Sequence, residues 1–235
     1  MRDIDFIERV KESGLGVFTV QDAARLIKSS RSYVHTYLSR LESRGRIARV
    51  ERGKYALAGT PVQVVATNLL YPSYISFLSA FYFRGRTTQI PTEIDVVCTR
   101  QKKAIKWGGY AVRFVTLRPD RVFGYEKIKD EFFWFLGSVE KSIVDSLYLP
   151  IHCGVLDVAE AIGGIDEEVV IEYALRMRSI VTLKRLGFLL EREGIDIYGK
   201  VNECLNDKYD LLDPYEGEEG KRNKRWKLVI NEVLE

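Results

Sequence analysis

Residues 19–57 read TVQDAARLIKSSRSYVHTYLSRLESRGRIARVERGKYAL. Thr19 is a good helix N-cap, and Asp22 three residues on completes a capping box. Ala23, Leu26 and Ile27 then give one apolar face, and the helix is expected to end near Lys28-Ser29-Ser30. Ser30 caps a second helix whose stripe is Val34, Leu38 and Leu41, at i, i+4 and i+7, ended by Gly45. Two β-rich runs follow, Ile47–Val50 and Tyr55–Leu57, around the turn Glu51-Arg52-Gly53-Lys54. Upstream, Ile4, Ile7 and Val10 repeat at a spacing of three, and Gly14 and Gly16 end that run. Helix, helix, short turn, helix, hairpin is the order of a winged helix-turn-helix domain, expected over residues 1–60.

Working outward, Gly59-Thr60-Pro61 marks a boundary, and residues 61–235 are expected to form an α+β domain. An apolar run lies at Val62–Ala66, and residues 74–84 read as helix up to Gly85. Extended segments follow at Glu93–Thr99, Ala104–Trp107 and Tyr110–Leu117, the last two joined by the hairpin signal Gly108-Gly109. Phe123–Glu126 and Asp130–Leu136 add extended pieces. From Ser138 the pattern is helical, with segments through Leu147, Leu156–Ile162, Glu167–Met177, Val181–Glu191 and Val201–Leu205. Residues 213–225 read as a charged loop before a last strand at Trp226–Asn231. The fold class is α+β: a winged helix joined to a mixed domain with a β-hairpin and a helical C-terminal part.

The chain has 235 residues, 46% hydrophobic and 29% charged, which excludes collagen-like and wholly disordered classes. No apolar stretch approaches the ~18 residues of a membrane span, and no secretory signal is visible. Cys98, Cys153 and Cys204 are few, odd in number and far apart, the usage of a reduced cytoplasmic protein. The net charge of +3 hides a division. Residues 1–60 carry +5, residues 61–127 carry +6, and residues 128–235 carry −8. Such asymmetry points the first half toward a polyanionic partner.

In a helix-turn-helix the second helix enters the major groove of duplex DNA. Opposite the Val34–Leu38–Leu41 stripe lie Ser32, Thr36, Ser39 and Ser43, flanked by Tyr33 and Arg40 on one side and His35 on the other. No carboxylate occurs from Lys28 to Leu41, whereas a merely solvated face would be expected to carry glutamate. The DNA-binding set is therefore Ser30, Arg31, Ser32, Tyr33, Thr36 and Arg40 on the helix, with Arg52 and Lys54 on the wing. Arg100, Lys102, Lys103 and Lys106 on the later hairpin are candidates for a continued DNA surface; pairing with the acidic helices after residue 128 is the alternative. One winged helix covers few base pairs, so a dimer or paired monomers on two half-sites is expected.

The chain resembles the AbiEi family, winged-helix antitoxins and regulators of type IV toxin–antitoxin operons. The resemblance rests on Gly16-Val17-Phe18-Thr19 with Asp22-Ala23-Ala24, and on Arg52-Gly53-Lys54-Tyr55-Ala56-Leu57. It continues through Tyr71-Pro72-Ser73-Tyr74-Ile75-Ser76, Gly85 to Pro91, Arg113-Phe114-Val115 and Phe123-Gly124-Tyr125-Glu126. Glu140-Lys141, Asp145, Leu147-Tyr148-Leu149-Pro150 and Leu186 to Glu191 complete it, over roughly residues 15–195. The resemblance implies binding to operator repeats and repression of the protein's own operon. It also implies neutralisation of a nucleotidyltransferase-like toxin without a stable complex.

Signals for catalysis are weaker. Glu93 and Asp95 lie two apart on a strand and so face one side, near Lys102 and Lys103. That is the makings of a metal-dependent nuclease or nucleotidyltransferase site. Gly137-Ser138 is followed by no acidic pair of the nucleotidyltransferase kind. His152-Cys153 gives two of the four ligands a structural zinc requires. A protein-binding adaptor, using the acidic C-terminal half, is the third reading. The expectation is a non-enzymatic regulator with no cofactor and no metal.

Overall fold

The structure, a computed structural model, describes residues 2–232. In chain order the N-terminal elements are α1 (Asp3–Ser13), β1 (Phe18–Thr19), α2 (Val20–Ile27), α3 (Arg31–Ser43), β2 (Ile47–Glu51), β3 (Lys54–Leu57) and α4 (Val62–Asn68). The middle contains β4 (Ser73–Ile75), α5 (Phe77–Phe83), β5 (Glu93–Cys98), β6 (Ile105–Trp107), β7 (Tyr110–Thr116), β8 (Tyr125–Lys129) and β9 (Phe133–Gly137). The remainder is α6 (Val139–Tyr148), α7 (Val155–Ala161), α8 (Glu167–Arg176), α9 (Ile180–Arg192), α10 (Tyr198–Val201), β10 (Asp210–Leu211), β11 (Lys221–Asn223) and β12 (Leu228–Ile230). These form two compact units. The first holds the chain up to Ile75, Thr92–Leu117 and Glu126–Leu136; the second holds Ser76–Pro91, Arg118–Tyr125 and Gly137 onward.

In the first unit the three N-terminal helices close over Phe6, Val10, Phe18, Val34, Leu38 and Leu41, all at 1% exposure or less. Phe6 meets both Phe18 and Tyr37 edge-on, at 5.7 and 5.6 Å. Strand β1 adds to the β2–β3 hairpin, giving a sheet ordered β1-β3-β2. This is the winged arrangement the residue pattern predicts. The Val62–Ala66 run forms a buried helix, α4, whose Val65 and Leu69 pack with Ala56 of the wing.

A six-stranded sheet, ordered β6-β7-β5-β4-β9-β8, completes the unit. It mixes parallel pairs, β5 with β7 and β4 with β9, with antiparallel ones. Residues 74–84 do not form one helix. Tyr74 and Ile75 are claimed by the sheet, opposite Val97 and Val96, and the helix starts only at Phe77. Sheet pairing wins because both side chains are fully buried there.

The second unit is mostly helical. Its centre joins residues far apart in sequence. Lys141 is fully buried and forms an ion pair with Asp145, which also accepts a hydrogen bond from Ser76 Oγ at 2.8 Å. The Lys141 ammonium lies 4.3 Å from the centre of the Phe123 ring. Burial pushes the lysine below its ordinary pKa, with Asp145 opposing that shift. Ser76, Phe123, Lys141 and Asp145 come from three separate stretches of the family resemblance.

Helix α9 is the second anchor. Lys184 donates to Asn206 Oδ1 at 2.7 Å and pairs with Asp210 at 2.8 Å, and Arg185 donates to the Leu147 and Leu211 carbonyls. The fully buried Trp226 lies so close to α9 that a Cβ at Gly187 would come within 2.1 Å of its ring. The residues from 213 to 225 are not all loop, because Lys221–Asn223 pairs with β12.

Gly187→Ala tests that packing. Helix propensity alone would favour alanine by about 1 kcal/mol. Displacement of Trp226 opposes it, and overpacking of this kind costs ~1–3 kcal/mol. Urea denaturation should therefore show a net loss of stability. A gain would mean that Trp226 does not press on α9.

Candidate nucleic-acid interface

The helix pair is held by its caps. The Thr19 hydroxyl accepts from Asp22 N–H at 3.2 Å, and the Asp22 carboxylate accepts from Thr19 N–H at 2.9 Å. Lys28 adopts a left-handed backbone (φ 54°) that ends α2, and Ser30 Oγ accepts from Tyr33 N–H at 3.4 Å to start α3. Burial of Val34, Tyr37, Leu38 and Leu41 sets the rotation of α3. It leaves Ser30, Arg31, Ser32, Tyr33, His35, Thr36, Ser39, Arg40 and Ser43 exposed. Among the described residues, neither Arg31 nor Arg40 forms a salt bridge.

Arg40 is not on the central ridge of α3 but on its flank toward α1. There a groove of about 680 Å³ is lined by Ile4, Ile7, Tyr33 and Tyr37, with Arg2, Arg40, Arg44 and Arg46 around it. Tyr33 and Tyr37 stack at 6.1 Å between ring centres. Arg44 is tied to Asp3 at 2.8 Å and Arg2 to Asp5 at 3.0 Å. Arg46 joins Arg40 as an exposed cation without a salt bridge among the described residues. The spacing of the arginines on α3 carried this flank, but the contribution of α1 came only with packing.

The wing is built on Gly53, whose φ of +78° makes the turn, and Arg52 stands exposed at its tip. Lys54 is differently placed. Its ammonium donates to the Leu69 carbonyl at 2.8 Å and pairs with Glu51 at 2.9 Å. Glu51 also binds Lys102, whose side chain is mostly covered and lies 5.5 Å from the Phe114 ring centre. One carboxylate thus fastens the wing to the segment ahead of β6. Trp107 reinforces this by donating its indole N–H to the Thr60 carbonyl at 2.7 Å.

Of the hairpin cations, Arg100, Lys103 and Lys106 are exposed, whereas Lys102 is held inward by Glu51. Three other cations between residues 61 and 127 are bound to groups of the fold. Arg84 donates to the Gly137 carbonyl at 3.1 and 2.9 Å, and Arg86 to the Gly163 carbonyl at 2.6 Å. Arg121 is buried against Tyr148.

Glu93 and Asp95 do share one face of β5, with Asp95 only 3% exposed. Both are engaged by Arg113, which makes two hydrogen bonds to Asp95 at 2.6 and 2.8 Å and reaches Glu93 at 3.0 Å. Ser138 caps α6, accepting from Lys141 N–H at 3.1 Å. His152 packs on Phe77 at 4.8 Å between ring centres. Among the described residues, no three His, Cys, Asp or Glu side chains cluster in a metal-holding group. No described helix is long and apolar enough to cross a membrane.

Residues 5–58 match the family model described as the AbiEi antitoxin transcriptional regulator. No curated protein matches the chain. Among solved structures, the chain is similar to the RV2827C protein from Mycobacterium tuberculosis, with a TM-score of 0.61 and 12% identity. That likeness covers 96% of this chain and 90% of the other, and at such low identity it speaks for the fold.

The Glu51 clamp has a measurable pH signature. Burial opposes its ionisation, but hydrogen bonds from Lys102 and Lys54 outweigh burial and hold its pKa below the ordinary value. A depressed carboxylate adds stability at neutral pH that is lost as the pH falls through the folded-state value. Glu51→Gln should cost about 1.5–3 kcal/mol at pH 7, the range for hydrogen bonds to charged groups. The gap to wild type should close on acidification. A gap of constant size from pH 7 to pH 3 would show that the carboxylate charge does not carry the clamp.

Proposed function

We propose that this protein is a sequence-specific regulator that binds duplex DNA at operator repeats and represses its own operon. It acts in the cytoplasm, without catalysis, metal or cofactor. In this reading residues 1–60 form the DNA-binding module, and residues 61–235 form the partner domain of an AbiEi-type antitoxin. The antitoxin opposes a nucleotidyltransferase-like toxin without holding it in a stable complex. A dimer or two paired monomers occupy the repeated half-sites.

One observation carries the reading: α3 exposes hydroxyls and two arginines without salt bridges, Arg31 and Arg40, on a face free of carboxylates from Lys28 to Leu41. Short hydroxyl side chains let a helix approach base edges closely, and flanking cations suit phosphates or guanine edges. The match of residues 5–58 to a regulator family supports the same conclusion. On the wing, exposed Arg52 is the stronger contact, since Lys54 is already bonded to Glu51 and Leu69. By the same reasoning Arg100, Lys103 and Lys106 extend the DNA surface better than Lys102 does. The nuclease reading loses ground because Arg113 occupies the carboxylates of Glu93 and Asp95.

Two measurements on the full chain test this. Arg31→Ala and Arg40→Ala should each weaken operator binding. Loss of a base contact costs ~1–3 kcal/mol at one base position, whereas loss of a phosphate contact weakens all sequences alike. Unchanged operator affinity in both variants would refute the assignment of α3. Each phosphate contact also contributes about −0.9 to the slope of log K against log salt. Replacing Arg100, Lys103 and Lys106 by serine should flatten that slope by up to about 3 units on the same rule. An unaltered slope would confine the interface to the winged helix.

A further inference from the structure

The segment from Pro214 to Arg222 is a run of nine consecutive exposed residues. Its sequence, continued to Arg225, is antisymmetric in charge about Gly220: Tyr-Glu-Gly-Glu-Glu before it and Lys-Arg-Asn-Lys-Arg after it. Read outward from the glycine, Glu219 answers Lys221, Glu218 answers Arg222, and Glu216 answers Lys224. Tyr215 answers Arg225 at the ends. Each of the three carboxylates on one side has a cation at the same distance on the other.

The chain does not use this complementarity within itself. Lys221–Asn223 of the basic arm form β11, which pairs with β12 rather than with the acidic arm. Among the described residues, Glu216, Glu218, Glu219, Lys221 and Lys224 form no salt bridge. The acidic arm is nonetheless held in place, because the Asn231 amide donates to the Asp213 and Gly217 carbonyls, each at 2.6 Å. Gly220 itself is locked against β12, where a Cβ would lie 2.2 Å from the Ile230 carbonyl oxygen. An intramolecular hairpin about Gly220 would have to break the β11–β12 pairing.

The sheet order β10-β12-β11 leaves β11 at an edge. Lysines on an edge strand normally deter pairing with another chain. They become selective when the incoming strand carries carboxylates in matching register, since opposite charges across an antiparallel pair attract and like charges repel. Beside this edge, Phe188 and Ile230 line a groove of about 500 Å³ whose other walls are residues 221–225. Tyr215, 60% exposed, is the large apolar side chain at the far end of the acidic arm.

We infer that the surface formed by residues 215–225 docks a second copy of this chain, antiparallel and two-fold symmetric about Gly220. The acidic arm of each copy lies along β11 of the other, and Tyr215 of each enters the groove beside Arg225 of the other. A two-fold interface must be self-complementary, each patch meeting its own copy. A charge-antisymmetric segment satisfies that condition in the antiparallel orientation and violates it in the parallel one, where Glu would meet Glu. This interface lies outside the DNA-contacting residues, so its test needs no DNA.

Sedimentation equilibrium of the full-length protein at low salt should show a concentration-dependent dimer that weakens in 1 M salt, where exposed ion pairs are screened. Two triple variants then decide the geometry: one with Glu216, Glu218 and Glu219 changed to Lys, the other with Lys221, Arg222 and Lys224 changed to Glu. All six positions are exposed, and circular dichroism and melting temperature confirm that each variant is folded. Each variant alone should be monomeric, because like charges then face each other. An equimolar mixture should recover the dimer, because each arm of one variant meets its opposite in the other. A monomeric wild type, dimerisation of either variant alone, or a mixture that stays monomeric would overturn the inference.

Discussion

Burial of Val34, Tyr37, Leu38 and Leu41 is the constraint on which the rest of the N-terminal surface depends. Those four side chains fix the rotation of α3 against Phe6, Phe18 and Ile47, so they also decide which residues face water. A rotation of one position would bury Arg31 or Thr36 and expose Leu38. Each such exchange forfeits the ~1.5–3 kcal/mol gained by burying a large apolar side chain. The caps at Thr19 and Ser30 set where the helices begin, and the stripe sets their facing. The polar face of α3 is thus the complement of the core.

A second layer of selection acts on the cations. From Ser43 to Thr92 the sequence contains a single carboxylate, Glu51, among many basic residues. It sits at the wing and takes two lysines, Lys54 and Lys102, out of solution. Arg113 is likewise taken by Glu93 and Asp95, and Arg84, Arg86 and Arg121 by groups within the fold. Those left exposed include Arg31, Arg40, Arg46, Arg52, Arg100, Lys103 and Lys106. Net charge counts all cations equally, whereas an interface uses those left free to meet a phosphate.

The winged helix was legible because its signals are local. The Thr19–Asp22 box, the Ser30 cap, the i, i+4, i+7 stripe and the Gly53 turn each act within a few residues. The six-stranded sheet was not, because its order joins β4 to both β5 and β9, and Ile75 to Leu136, across 61 positions of sequence. Nothing local at Tyr74 and Ile75 distinguishes a buried strand from the first turn of the helix that follows. The candidate site divides the same way. The exposed face of α3 follows from helical periodicity, while the inward commitment of Lys54 and Lys102 depends on tertiary contacts of Glu51. A lone carboxylate in a basic stretch was the available clue to that clamp.

The most direct test of the account is selection of bound sequences from random duplex DNA by the full-length protein, with and without Mg²⁺. The account predicts enrichment of a repeated motif, equally well in both conditions, with the DNA recovered intact. No enrichment would contradict a sequence-reading α3. Strand cleavage that requires Mg²⁺ would contradict the assignment of Glu93 and Asp95 to Arg113 and return the protein to the nucleases.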